Sequence, residues 1–120
     1  MIEKQLDKLK EEFNRVRKEI CLISYLKKGS LFKCYQTCGN PGCRCHKDKK
    51  YKHGPYWWWS TKEDGKTKSI LVPEGMLSEV GSYIDNYKLL KSRIKILEEI
   101  SEKIIKAKIK DHRRQFKKGR

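Results

Sequence analysis

Apolar side chains at the two ends of this chain recur with a four-three spacing, and that spacing limits the folds open to it more than any other feature. The N-terminal row is Ile2, Leu6, Leu9, Phe13, Val16, Ile20 and Ile23. A row alternating four and three residues over three heptads keeps to one stripe of an α-helix, the a/d seam of a coiled coil. Lys and Glu fill the other faces. The row therefore predicts a helix from residue 1 to about residue 27, ended by Gly29 and Ser30. Near the other end, Val80, Tyr83, Tyr87, Leu90, Ile94, Leu97 and Ile104 repeat the rhythm, with Ser101 interrupting it. Pro73 cannot sit inside a helix, so a second long helix is expected from about 74 to 110. Each helix alone would hold an apolar stripe against water. Packing the two as an antiparallel hairpin removes both stripes, and self-association is the competing solution.

Between the helices, "GPYWWWSTKEDGKTKSILVP" holds two strand-like runs around "EDGK". Asp-Gly suits a two-residue hairpin turn, whose central residues both need positive φ. Strands are expected at 55–62 and 66–72. A lone two-stranded hairpin is marginal in water, so something must anchor it. The expected fold is α+β and mostly α: two long helices in an antiparallel coiled-coil hairpin, flanking a central zinc loop and a two-stranded β-hairpin. The parts are 1–28, an N-terminal coiled-coil helix; 29–73, the zinc-binding loop and hairpin; and 74–120, a long C-terminal helix with a basic tail.

The anchor is read from the cysteines, four of which fall between residues 34 and 45. Cys38, Cys43 and Cys45 form C-x4-C-x-C, with Gly39 and Asn40-Pro41-Gly42 supplying turn chemistry between the first two. His53 follows, directly before Gly54-Pro55 and the first strand. Three thiolates and an imidazole make a closed tetrahedral set of the kind structural zinc takes. Cys34 and His46 compete for the fourth place. His46 adjoins Cys45 in the chain, which makes joint coordination awkward, so Cys34 is the more credible substitute. Burial of a reduced thiol accounts well for Cys21, beside the helical seam. It accounts poorly for residues 38–45, where Gly, Pro, Asn and Lys offer no apolar core. The odd total of five cysteines argues against a disulfide framework.

The stretch "KGSLFKCYQTCGNPGCRCHKDKKYKHGPYWWWSTKEDGKTKSILVPEGM" and the following "VGSYIDNYKLLKSRIKILEEISE" resemble a family of small prokaryotic proteins grouped as domain of unknown function 6788. The likeness lies in Cys38-Gly39, Cys43 and Cys45, then His53-Gly54-Pro55-Tyr56, the hairpin, Pro73 and Asn86-Tyr87. It implies a zinc-ribbon-like module associated with mobile elements and phage-like genes, and it brings no known activity. Cys34, His46, the triple tryptophan and the basic tail depart from the pattern.

Function must then be read from charge and aromatic surface. The net charge is +15, a field that draws polyanions, nucleic acid foremost. Residues 103–120 hold nine Lys/Arg against one Asp, more than the few cations that suit a helix C-terminus. The expected phosphate-binding residues there are Lys103, Lys106, Lys110, Arg113, Arg114, Lys117, Lys118 and Arg120. A second cluster beside the cysteines adds Arg44, Lys47, Lys49, Lys50 and Lys52. Along a strand, Trp57 and Trp59 face one side, and Tyr56 and Trp58 the other. The simpler expectation covers one side with helix and the other with the zinc loop. The sharper one is an aromatic platform of Tyr56, Trp57, Trp58 and Trp59 that stacks on bases or docks a protein.

No deaminase signature, phosphate loop, nucleophile elbow or carboxylate cluster is present, and a closed metal site leaves no position for a reactive water. The reading is a non-catalytic, zinc-containing, nucleic-acid-binding accessory protein, related to mobile elements or phage. The alternative is an adaptor or inhibitor that docks on a nucleic-acid enzyme or ribonucleoprotein. The charged N-terminus excludes a signal peptide, and no apolar run approaches the ~20 residues of a membrane span. A cytoplasmic monomer or homodimer without membrane contact is expected.

Overall fold

The computed structural model describes residues 2–118, with side chains to residue 116. Among the described residues, two α-helices and three strands follow in the order α1 (Ile2–Cys21), β1 (Ser30–Gln36), β2 (His53–Glu63), β3 (Lys66–Val72) and α2 (Leu77–Lys118). The class is mixed α+β. The described residues divide into two compact units: α1 together with α2 from Lys88 onward, and Tyr25–Tyr87.

In the helical unit, the row on α1 from Ile2 to Ile20 is half-buried at every position and most of the flanking residues are exposed. The Arg93 guanidinium of α2 pairs with the Glu19 carboxylate of α1. Phe13 and Asn14 line one hollow with Ser101, Ile104 and Ile105. The buried row on this part of α2 differs from the expected one. Ile100 is the residue enclosed, 5% exposed, while Ile94 remains 45% exposed. Arg93, Leu97, Ile104 and Ala107 are half-buried on the same three-four spacing as Ile100. The reason is that α2 crosses both units and buries a separate row in each. Near its start it encloses Ile84, with Val80, Tyr83 and Tyr87 half-buried. Leu97 and Ile104 keep their places in the expected row, while Arg93 and Ile100 stand beside the expected Ile94 and Ser101.

α1 ends at Cys21 rather than near residue 27. Its last turn tightens, with the Leu22 and Ile23 amides donating to Glu19 and Ile20 carbonyls three residues back. The chain beyond is committed elsewhere. Lys27 N–H donates to the Tyr83 carbonyl, Tyr25 O accepts from the Asn86 amide, and Lys28 O accepts from Trp59 Nε1. The Tyr25 and Tyr83 rings meet edge to face at 5.6 Å. Backbone groups held by these partners cannot also continue a helix. α2 likewise starts three residues later than expected, after a short 3₁₀ turn at Glu74–Met76, and runs on to Lys118.

The sheet has three antiparallel strands in the order β1-β2-β3, one more than the expected hairpin. β2 and β3 join through Asp64 and Gly65, both at positive φ, as the Asp-Gly signal required. β1 pairs with the other edge of β2, Leu31 opposite Trp59 and Phe32 opposite Trp58. Gly29 leads into β1 at φ +145°, where a Cβ would stand 2.7 Å from the Ser60 carbonyl oxygen. Only glycine fits there. On one face of the sheet, Leu31 approaches Gly81 of α2, Val72 and Thr61 are buried, and Trp57 and Trp59 are half-buried. The opposite face is covered only in part, for Trp58 and Ser60 are half-buried there while the residues around them stay open. Phe32, Tyr56 and Leu71 are 43%, 37% and 49% exposed.

Candidate metal centre

The strand ladder explains how residues ten or more positions apart reach one point. Gln36 at the end of β1 pairs with His53 at the start of β2, so Cys38, two residues further on, emerges beside the imidazole. A register shift between Cys34 and Gln36 accommodates this corner. Gly54 sits there at φ +142°, where a Cβ would lie 2.9 Å from the Cys34 carbonyl oxygen.

Cys43 and Cys45 are carried back to the corner by consecutive tight turns. Asn40 accepts from Gly42 N–H through its side chain and from Cys43 N–H through its carbonyl, each at 3.1 Å. A 3₁₀ turn over Arg44–His46 follows. Asp48 then caps a second, Lys49–Tyr51, by accepting from Lys50 N–H at 3.3 Å. The chain re-enters the sheet at His53.

The Sγ atoms of Cys38, Cys43 and Cys45 and a ring nitrogen of His53 all lie within 4.8 Å of one another. Cys38 Sγ is 3.7 Å from Cys45 Sγ, and Cys43 Sγ is 3.3 Å from His53 Nε2. A tetrahedron with ~2.3 Å metal–sulfur and ~2.0 Å metal–nitrogen bonds spaces its donors by roughly 3.5–3.8 Å, so this set fits one zinc-sized ion. Cys38 N–H also donates to Cys45 Sγ at 3.3 Å, a backbone bond to sulfur that favours a thiolate.

The thiols are prepared unequally. Cys43 is lowered to about 6, chiefly by the Cys45 backbone N–H and then by the His53 ring. Cys45, 2% exposed, is raised by desolvation first and by the neighbouring thiols second, against the pull of the Cys38 amide. A cation at the centre would reverse that penalty, because it supplies the charge a buried thiolate lacks.

The two competing ligands point elsewhere. Cys34 lies on β1 opposite Tyr56, with its thiol toward the Tyr35 carbonyl at 3.8 Å. His46 Nε2 is 2.9 Å from the Cys38 carbonyl oxygen, which makes it a brace for the loop. Cys21 is exposed at the end of α1, so burial does not account for it.

Among the basic residues, Arg44, Lys47, Lys49 and Lys50 are exposed on the loop and Lys52 is half-buried. Arg44 and Lys50 lie over the Tyr51 ring at 5.6 and 5.1 Å, so both cations gather about this one side chain. On α2, Lys103, Lys106, Lys110, Arg113 and Arg114 are exposed. Lys103, Lys106 and Lys110 line a hollow with Lys8 and Glu12 of α1. Lys117 and Lys118 lie on α2 beyond the described side chains, and Arg120 lies outside the described residues. Sequence reasoning missed Phe32 as part of the aromatic surface. The run Leu31-Phe32-x-Cys34-Tyr35 behind a glycine was the available signal.

A family model described as "Domain of unknown function (DUF6788)" matches residues 1–82. Searches of curated proteins and of solved structures gave no match.

Proposed function

The chain belongs to the DUF6788 domain family, and we propose that it is a non-catalytic nucleic-acid-binding accessory protein whose loop is stapled by zinc. The carrying observation is the exposed basic row of α2: Lys103, Lys106, Lys110 and Arg113 recur every three or four residues, so one side of the helix offers repeated cations to a phosphate backbone. Zinc, when bound, supplies a closed tetrahedral cross-link. Cys38, Cys43, Cys45 and His53 would hold it, and their four donors leave no place for a reactive water. The loop cations Arg44, Lys47, Lys49 and Lys50 are thereby fixed in position instead of trailing on a flexible segment. The two helical rows pair antiparallel in this reading, a stiff support for the basic stripe. That Glu19 meets Arg93 while Leu9 and Ile2 share a hollow with Lys103 and Lys110 supports the antiparallel sense. A mobile-element setting accords with the family likeness.

Exposed apolar residues on the helical unit favour one second reading, a protein-docking adaptor. Leu22 is 86% exposed, Ile105 57% and Ile109 46%. Purified protein, freed of nucleic acid by nuclease and a high-salt wash, decides between the two. At low salt it is expected to bind labelled single-stranded and duplex nucleic acid alike, and Lys106→Gln with Lys110→Gln and Arg113→Gln should weaken both. Absence of binding to either would end the nucleic-acid reading. Retention of a stoichiometric protein partner in that case would favour the adaptor.

A further inference from the structure

The partly open face of the sheet, on which Trp58 is half-buried and Phe32, Tyr56 and Leu71 are exposed, is ordered in rows that the strand register sets out. Across the three strands, Phe32 stands beside Trp58 and Trp58 beside Leu71. One step along on the same face, Ser30, Ser60 and Ser69 form the next row. Beyond them stand Lys62 and Thr67, and on the other side of the aromatic row stands Tyr56. The face therefore runs from cation, through hydroxyls, to aromatic rings over about four residue rises of strand, roughly 13 Å.

Its charge completes the pattern. No Asp or Glu stands in these rows. Glu63, the strand carboxylate nearest to them, belongs to the other face, where Lys27 at 3.2 Å and Lys68 at 3.3 Å neutralise it. A carboxylate-free face on a chain of net charge +15 is matched to an anionic ligand. Its aromatic rings are matched to flat, apolar groups. A ligand that joins repeated anionic links to flat rings is a nucleic acid, and the rings are reachable only where its bases are not already stacked in a duplex.

We propose that this sheet face binds single-stranded nucleic acid, with bases stacking on Phe32, Trp58 and Tyr56 and the sugar-phosphate chain crossing the serine row toward Lys62. The proposal rests on the nucleic-acid reading above and adds strand selectivity to it. The basic row of α2 serves any phosphate backbone, whereas this face accepts only unpaired bases.

The test measures binding of the full zinc-loaded chain to a labelled oligothymidylate and to a mixed-sequence duplex of equal length. Phe32→Thr keeps a good strand former on an edge strand, so it spares the fold, and Trp58→Ala removes the central ring. Circular dichroism melts confirm that each variant is folded. Each substitution is expected to weaken single-strand binding by roughly five- to a hundredfold while duplex binding changes by less than about twofold. Wild-type tryptophan fluorescence should be quenched by the oligothymidylate and not by the duplex. If both folded variants bind the single strand as the wild type does, while the wild type still binds nucleic acid, the face is not the stacking surface and the basic-row reading survives. If the wild type binds neither ligand, both readings fall together.

Discussion

Cys43 and Cys45 stand two residues apart and titrate in opposite directions, because one thiol accepts hydrogen bonds at the rim of the loop and the other is shut away from water. In this loop geometry Cys43 is the more readily ionised of the two. Its folded value of about 6 lies below the ordinary 9.0. The stabilising contribution is therefore complete above pH 9.0, declines below it, and is lost as pH falls through about 6. Iodoacetamide mapping near neutral pH should find Cys43 and Cys45 protected in the zinc-loaded protein and open to labelling once chelation releases the loop; labelling unchanged by chelation would show that zinc does not hold them. Metal content makes a second test at this scale. His53→Ala should lose most of its zinc by elemental analysis, whereas Cys34→Ser and His46→Ala should keep about one ion per chain. Loss of zinc in Cys34→Ser, with retention in His53→Ala, would reassign the fourth ligand. The three cysteines and the histidine were legible as a set because residue type and spacing carried them. His53 was the expected fourth ligand, with Cys34 as its substitute, but the feature that sets His53 in place is the Gln36–His53 pairing, and that depends on a strand absent from the sequence reading.

At the scale of elements, α2 separates local pattern from tertiary context. Seven-residue periodicity marked it as a long helix, but one periodic row cannot state that the helix will bury two rows in two units. Ile100 and Ile94 make that distinction measurable. Ile100→Ala removes an enclosed side chain and should cost about 2–4 kcal/mol, while Ile94→Ala, at a part-exposed position on the rim of a hollow with Phe13, should cost about 1 kcal/mol or less. Urea unfolding followed by circular dichroism measures both, and equal costs would restore the row first read from the sequence. The same contrast explains the strands. β2 and β3 were legible because Asp-Gly fixes a hairpin locally. β1 was not, since it gains its stability from pairing with a strand 17 to 30 residues away, from Gln36–His53 to Ser30–Ser60, and shows only a short, irregular run of β-formers. The early end of α1 has a similar cause, for Tyr25 and Lys27 take partners on α2 that no local rule names.

Across the whole molecule, the metal and the charge act on different units, so they can be removed separately. The four candidate ligands and the sheet belong to Tyr25–Tyr87, whereas α1 and most of α2 form the other unit. Chelation should therefore disorder the loop, shift the fluorescence of the three sheet tryptophans, and leave most of the far-ultraviolet helical signal in place. Collapse of that signal in step with zinc loss would mean that the helices depend on the metal. Charge is tested by salt. Each phosphate contact releases a counterion, so log affinity for duplex should fall linearly with log salt, by about 0.9 of a unit of slope per contact. Replacing Lys106, Lys110 and Arg113 by Gln should flatten the wild-type slope by roughly 2–3 units and weaken all sequences alike. The chelated protein should keep the α2 part of that slope and lose the part contributed by Arg44, Lys47, Lys49 and Lys50, whose positions depend on the loop. A slope unmoved by the α2 substitutions would show that the basic row is only solvated surface, and binding would then have to be sought in the loop and the sheet.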